Sequence, residues 1–459
     1  MMMKKIAVNT LKGVAWLALA GLLLVLAWLA SNHRWVDARS DAVPAALKPP
    51  VAHMPDERNA FFALLGLDAP EGKDTAQVGR LRWASAQLDQ PEPDRLSWPK
   101  PNPTDAASSW NCRFTDEDCT ARWREQSQAL QVLMDQHATL GRRCEALADP
   151  GFVMDELLRE PLAEIGEPAD QYVARAIPPM TGLAQCARWL RVAAVLAQQR
   201  GDSTALRVAV QRSQTFVNGL LSGSRSLIGN VIAWRVAEDH WQMLVALAAR
   251  QPALTAELIR LAAPLPNEAA DASRWIVSEA SFSRQVVREL ASHCRAGGLS
   301  ASSENWMERT LNCSGFGYMP GATQQLFDQQ WLRTLEVARA GPLAAVEWQP
   351  EPQKKWLFGY AWYNTVGHIL LDVAQPSYVD YFRRQADLLL HHQAALLALQ
   401  AAAQPPAGRA AWLAAQPVDE RLRARIRLDG TEQIGVSPWW KHDQAAKPTV
   451  YPIPHLQAS

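Results

Sequence analysis

The amino-acid sequence predicts a mainly α-helical protein: one N-terminal transmembrane helix, then stacked antiparallel helical hairpins (solenoid-like or bundle), then a small C-terminal β-hairpin. Three observations carry this expectation. An uncharged apolar run lies near the N-terminus, apolar residues recur at three- and four-residue steps through most of the chain, and the period drops to two near the end.

The apolar run is GVAWLALAGLLLVLAWLA, Gly13 to Ala30, eighteen positions without a charge. At 1.5 Å per residue it spans about 27 Å, enough for a bilayer's hydrocarbon core. Trp16 and Trp28 lie near its ends, where indole rings favour the headgroup level. Lys4, Lys5 and Lys12 precede it and Arg34 and Arg39 follow. The positive-inside preference therefore expects residues 1–12 in the cytoplasm and the bulk across the membrane. The rival reading is a cleaved signal peptide, which has a shorter apolar stretch and a small-x-small site; Trp28-Leu29-Ala30 puts a bulky residue at the wrong position. No later segment reaches eighteen uncharged apolar residues. The expectation is a single-pass, uncleaved anchor in a bacterial inner membrane, with the bulk in the periplasm.

Forty-six basic and forty-six acidic residues cancel, which argues against a nucleic-acid protein. The six cysteines suit disulfides in an oxidising compartment. Proximity favours Cys112–Cys119, then Cys294–Cys313, leaving Cys144–Cys186. A zinc site would need a C-x-x-C pair or a histidine at ligand spacing, and none accompanies them. No metal or cofactor is expected.

Pro44, Pro49, Pro50 and Pro55 suggest that residues 31–56 form an extended stalk. Within 57–115, NAFFALLGL (59–67) reads as a short helix, and Pro91, Pro93, Pro99, Pro101 and Pro103 make the rest irregular. Residues 116–416 read as a helical domain. Leu183, Cys186, Ala187, Leu190, Ala194 and Ala197 form one apolar stripe, Gly201 ends that helix, and Asp202 or Ser203 caps the next. The pair is an antiparallel hairpin. Its RGDSTALRVAV turn resembles the inter-helix turn of tetratricopeptide-type repeats, over that one hairpin; the full spacing of that repeat does not recur. Residues 227–249 and 254–263 form another pair, with further helices at 268–295, 322–340, 359–373 and 378–403.

Arg421, Arg423, Arg425 and Arg427 then alternate with Leu422, Ala424, Ile426 and Leu428, and Asp429-Gly430 supplies a turn. This predicts a β-hairpin within 417–437. A three-residue loop with Gly430 left-handed, pairing Ile426 with Ile434, keeps both apolar sets on one face. Residues 438–459 read as an extended tail. The arginine stripe is a candidate surface for lipid headgroups or an acidic partner, although a charged strand edge also deters edge-to-edge pairing.

No sequence motif names a reaction: nucleophile elbow, phosphate loop, dinucleotide fingerprint, zinc helix and calcium loop are all missing. Ser97-Trp98-Pro99-Lys100 satisfies S-x-x-K, but in a proline-dense stretch without companion motifs. Glu238-Asp239-His240 and His391-His392 diverge by about 100° per residue on a helix, so neither set aims at one point. His368 reads as a partly buried, satisfied histidine. Asp116, Glu117 and Asp118 suit a helix N-terminus better than a calcium loop. Trp306, Trp331, Trp348, Trp356, Trp362, Trp412 and Trp439-Trp440 fill hairpin junctions on the plain reading. On the sharper one they line a glycan cleft in an α/α toroid, with acids drawn from Asp328, Glu336, Glu347 and Asp372. The expectation is a membrane-anchored envelope scaffold that binds a protein or another envelope component, with a glycan hydrolase as the alternative.

Overall fold

The computed structural model describes residues 2–32, 36–37, 42–48, 59–85, 94–99, 109–112, 114, 118–149, 154–155, 181–263, 265–295, 318–349, 363–374, 378–440 and 449–454. The fold is mostly helical, with a small three-stranded antiparallel sheet near the C-terminus. In chain order the helices begin with α1 (Met2–Ser31), α2 (Ala60–Leu65), α3 (Thr75–Ser85), α4 (Cys119–Glu125), α5 (Ser127–Gln136) and α6 (Ala138–Leu147). The long ones follow: α7 (Thr181–Gln199), α8 (Ser203–Gly223), α9 (Leu227–Arg250), α10 (Thr255–Ala262), α11 (Ser273–Arg295) and α12 (Pro320–Arg339). The last are α13 (Pro342–Ala345), α14 (Thr365–Ala374), α15 (Tyr378–Ala401), α16 (Arg409–Ala414) and α17 (Glu420–Arg423). Two compact units result. One gathers 1–48, 279–334 and 349–378; the other gathers 49–278, 335–348 and 379–459.

The first unit contains α1. Its stretch Lys12–Ser31 is long and apolar enough to cross a membrane, and none of its apolar window is buried. Anchors and signal sequences share that property. The described residues that follow are not an extended stalk. Asn32 is fully buried and its Oδ1 accepts the Asn364 N–H at 3.1 Å. Asp37 caps α12 by accepting the N–H groups of Gly321 and Ala322, both at 2.9 Å. Arg284 donates to the Ala42 carbonyl, and Leu47 is buried in a 3-10 turn. Short polar side chains here satisfy helix ends, and Pro44, the described proline of this stretch, leads into that 3-10 turn.

The second unit holds the predicted hairpins. Gly201, at φ +70°, ends α7, and Asp202 caps α8 through the Ala205 N–H at 2.9 Å. Asp118 caps α4 through Thr120 and Ala121; Asp116 and Glu117 lie outside the described residues. Within 57–115, α2 appears with Asn59 as its cap, and α3 is an addition to the expected single helix. Helix α3 carries Gly79 in its interior. A Cβ there would lie 1.8 Å from the Phe62 carbonyl oxygen, so glycine permits α3 to lie against α2. Two disulfides close the region, Cys112–Cys119 and Cys144–Cys186. The expected Cys294–Cys313 pair falls outside what is described: Cys313 is not among those residues, nor is the Cys294 side chain.

Strands β1 (Ile426–Asp429), β2 (Gln433–Val436) and β3 (Val450–Pro452) lie in that order, all antiparallel. Gly430 is left-handed, at φ +65°. The register differs by two residues from the expected one: Leu428 pairs with Ile434 and Ile426 with Val436. Asp429 stays in the ladder opposite Gln433, so the three-residue loop is 430–432 rather than 429–431 and begins at the left-handed Gly430. A shift of two preserves the face, so Ile434 and Val436 are still buried. The tail adds β3, whose Tyr451 pairs with Ile434. The four arginines do not share a strand, because Asp419 caps α17 and draws Arg421 and Arg423 into it. Only Arg427 lies on β1.

Candidate functional site

Among the described residues, a group of buried titratable side chains lies in the second unit, on α9, α15 and the segment that carries β3. Helix α15 is apolar through much of its length, yet Asp387, His391 and His392 interrupt it and all three are buried. A polar group so placed needs an internal partner. Asp387 finds two: its carboxylate accepts the N–H of Trp439 at 2.7 Å and of Trp440 at 2.9 Å. His391 Nδ1 meets the Tyr451 hydroxyl at 2.8 Å, and His392 donates from Nε2 to the Ala262 carbonyl at 2.7 Å.

Adjacent side chains on α9 diverge as helical geometry requires. His240 is fully buried between Ser213 (Nδ1, 2.9 Å) and Gln214 (Nε2, 2.8 Å). Asp239 bridges Arg235 at 2.6 Å and Arg191 at 3.3 Å. Glu238 has Arg235 3.5 Å away and keeps 17% of its side chain exposed.

Burial shapes the charges of this group. It pushes the Glu238 carboxyl up to about 8, against the opposing pull of Arg235, while the Asp387 charge adds to the rise. Burial likewise raises Asp387 to about 7, although the Trp440 and Trp439 N–H groups and Arg425 favour its charged form. His240 and His391 are pushed down to about 3, by burial first and then by nearby arginines, so both are neutral. Tyr451 is held well above the ordinary phenol range, by burial and then by Glu238. Cations cover the aromatic rim: the Arg384 guanidinium sits 3.7 Å from the centroid of a Trp440 ring and that of Arg425 sits 4.3 Å from a Trp439 ring.

Two carboxyls titrating near neutrality can hold and release protons at physiological pH. Asp387 also spends both oxygens on backbone N–H groups, so the arrangement fastens residues 439–440 to α15.

The other expected residues are accounted for individually. Asp328 is buried and paired with Arg284 in the first unit; Glu336 and Glu347 are exposed; Asp372 is half-buried. The half-buried His368 has its pKa lowered by burial, against the pull of Asp372. Trp331 packs edge-on against Tyr378, and Trp348 against Phe382. Trp412 is half-buried, whereas Trp306, Trp356 and Trp362 fall outside the described residues. Ser97 is exposed, and Lys100 is not described. Arg421 donates to the Leu343 carbonyl, Arg423 to those of Ala414 and Gln416, and Arg425 to that of Ser437; Arg427 pairs with Asp429. Among the described residues no group of three or more His, Cys, Asp or Glu side chains is arranged to hold a metal ion.

Sequence reasoning passed over Asp387 and Tyr451. The available signal was a lone carboxylate in the apolar run ADLLLHHQAALLAL. No protein-family model, curated protein or solved structure matches this chain.

Proposed function

We propose that this protein is a bacterial inner-membrane-anchored helical scaffold whose body faces the periplasm and binds a protein or envelope component. The observation that carries the reading is the helix Lys12–Ser31, whose apolar surface the body leaves uncovered. A water-exposed apolar helix of that length would be strongly unfavourable, and a bilayer supplies the missing environment. The two disulfides add support, because such bonds persist in oxidising compartments. The commitment of Asp387, Asp239 and Asp328 to internal partners favours binding over catalysis. The test is topology in cells: reporters fused after residues 48 and 459 are expected to be active only across the membrane, and the chain should resist alkaline carbonate extraction. Activity of either fusion on the cytoplasmic side alone would overturn the reading.

One observation favours a second reading, a glycan hydrolase. Glu238 and Asp387 both have raised pKa values, and Asp387 holds the half-buried Trp439 and Trp440. Such enzymes need one protonated and one ionised carboxyl beside the sugar. Release of soluble fragments from peptidoglycan or polysaccharide, abolished by Glu238→Gln, would establish it; no release by the native chain would dismiss it.

A further inference from the structure

The end of α1 is wired into the body that follows it. Asn32, one residue past the apolar helix, is fully buried and accepts the Asn364 N–H at 3.1 Å. Asn364 in turn accepts from the Met319 N–H and the Thr323 hydroxyl, both at 3.0 Å, and is itself fully buried with φ +50°. A short polar residue tolerates that backbone, and here its side chain holds the start of α12 while its backbone N–H holds Asn32. Asp37 closes the same region by capping α12. The turn at Asn364 and the N-terminus of α12 therefore lie within one or two hydrogen bonds of the point where the apolar helix stops. The headgroup layer is about 5–7 Å thick on each side of the hydrocarbon core, so these groups fall at its depth.

We infer that the unit built from residues 279–295, 318–334 and 363–374 is seated directly on the lipid headgroup surface, at the end where the buried Asn364 turn and the start of α12 meet the end of α1. This rests on the membrane reading of α1. The partner is a bilayer surface, and the contact is set by chain geometry rather than by a charged patch. Asp37 already occupies the first N–H groups of α12, so that helix end is not offered to a lipid phosphate.

The test uses the full chain in vesicles of phosphatidylethanolamine and phosphatidylglycerol that carry a headgroup-attached nitroxide quencher. A genetically encoded fluorescent residue replaces Ile369, which is 47% exposed and lies about 7 Å of helix beyond Asn364. The comparison chain carries a glycine–serine linker of about twenty residues between Ala30 and Ser31, which keeps the Asn32–Asn364 contact and lets the body drift by roughly 25 Å. Quenching at least about twofold stronger in the chain without the linker is expected, given the thickness of the headgroup layer. Equal quenching in the two chains, with both resisting carbonate extraction, would overturn the seating while leaving the anchor intact. Release of the native chain by carbonate would remove the anchor reading and the seating with it.

Discussion

The Asp387 carboxylate, buried in the middle of α15, accepts the backbone N–H of Trp439 at 2.7 Å across fifty-two positions of sequence. The neighbouring Trp440 N–H takes the other oxygen. Asp387→Ala would leave two N–H groups without their acceptor, at about 1–3 kcal/mol each. We expect faster amide exchange at residues 439–440 and a total loss of about 2–5 kcal/mol by chemical denaturation. Asp387→Asn keeps one carbonyl acceptor and should fall between; equal exchange in all three chains would contradict the clamp.

The same carboxyl predicts a pH dependence of stability. Asp387 rises from 3.8 to about 7 on folding and Glu238 from 4.5 to about 8. The folded state therefore binds more protons than the unfolded state between roughly pH 4 and 8. Stability from these two groups is fully present at the acid end and is lost as pH rises through that window. His240 and His391 act oppositely below their ordinary value of 6.5, because they are neutral when folded. The clean interval is thus about pH 6.5 to 8. Denaturation curves should show native stability declining there more steeply than that of Glu238→Gln with Asp387→Asn; parallel profiles would count against the assignment.

The two disulfides should differ in worth. Cys144–Cys186 closes a loop of separation 42, and Cys112–Cys119 one of separation 7. Loop-closure entropy gives about 4 kcal/mol for the first and about 2.5 kcal/mol for the second. Replacing each pair by serine and comparing unfolding midpoints checks the order.

In the first unit, Arg284 Nε meets Asp328 Oδ1 at 2.9 Å with both side chains buried. Burial raises the Asp328 carboxyl, against the pull of its Arg284 partner. Arg284→Met alone should cost about 3–5 kcal/mol by stranding the carboxylate, whereas adding Asp328→Leu should recover most of that loss. A double variant no more stable than the single one would show that the packing, not the charge, is at stake.

The sequence by itself determined what depends on short-range period and on local turn chemistry. The apolar run at Gly13–Ala30, the α7–α8 hairpin with Gly201 and Asp202, the cap at Asp118 and the left-handed Gly430 are all legible from residues a few positions apart. Two disulfide pairings followed from spacing, since the nearest cysteines and the remaining pair were enough to find them. Tertiary structure alone decided the rest. The prolines of 31–56 predicted a stalk, but Asn32 and Asp37 find their partners about three hundred residues away. The need for glycine at position 79 shows only once the Phe62 carbonyl lies against it. Asp387 reaches the N–H groups of Trp439 and Trp440 only because α15 and the segment after β2 meet. A buried polar group is explained by whatever long-range partner satisfies it, and periodicity along one helix carries no information about that partner.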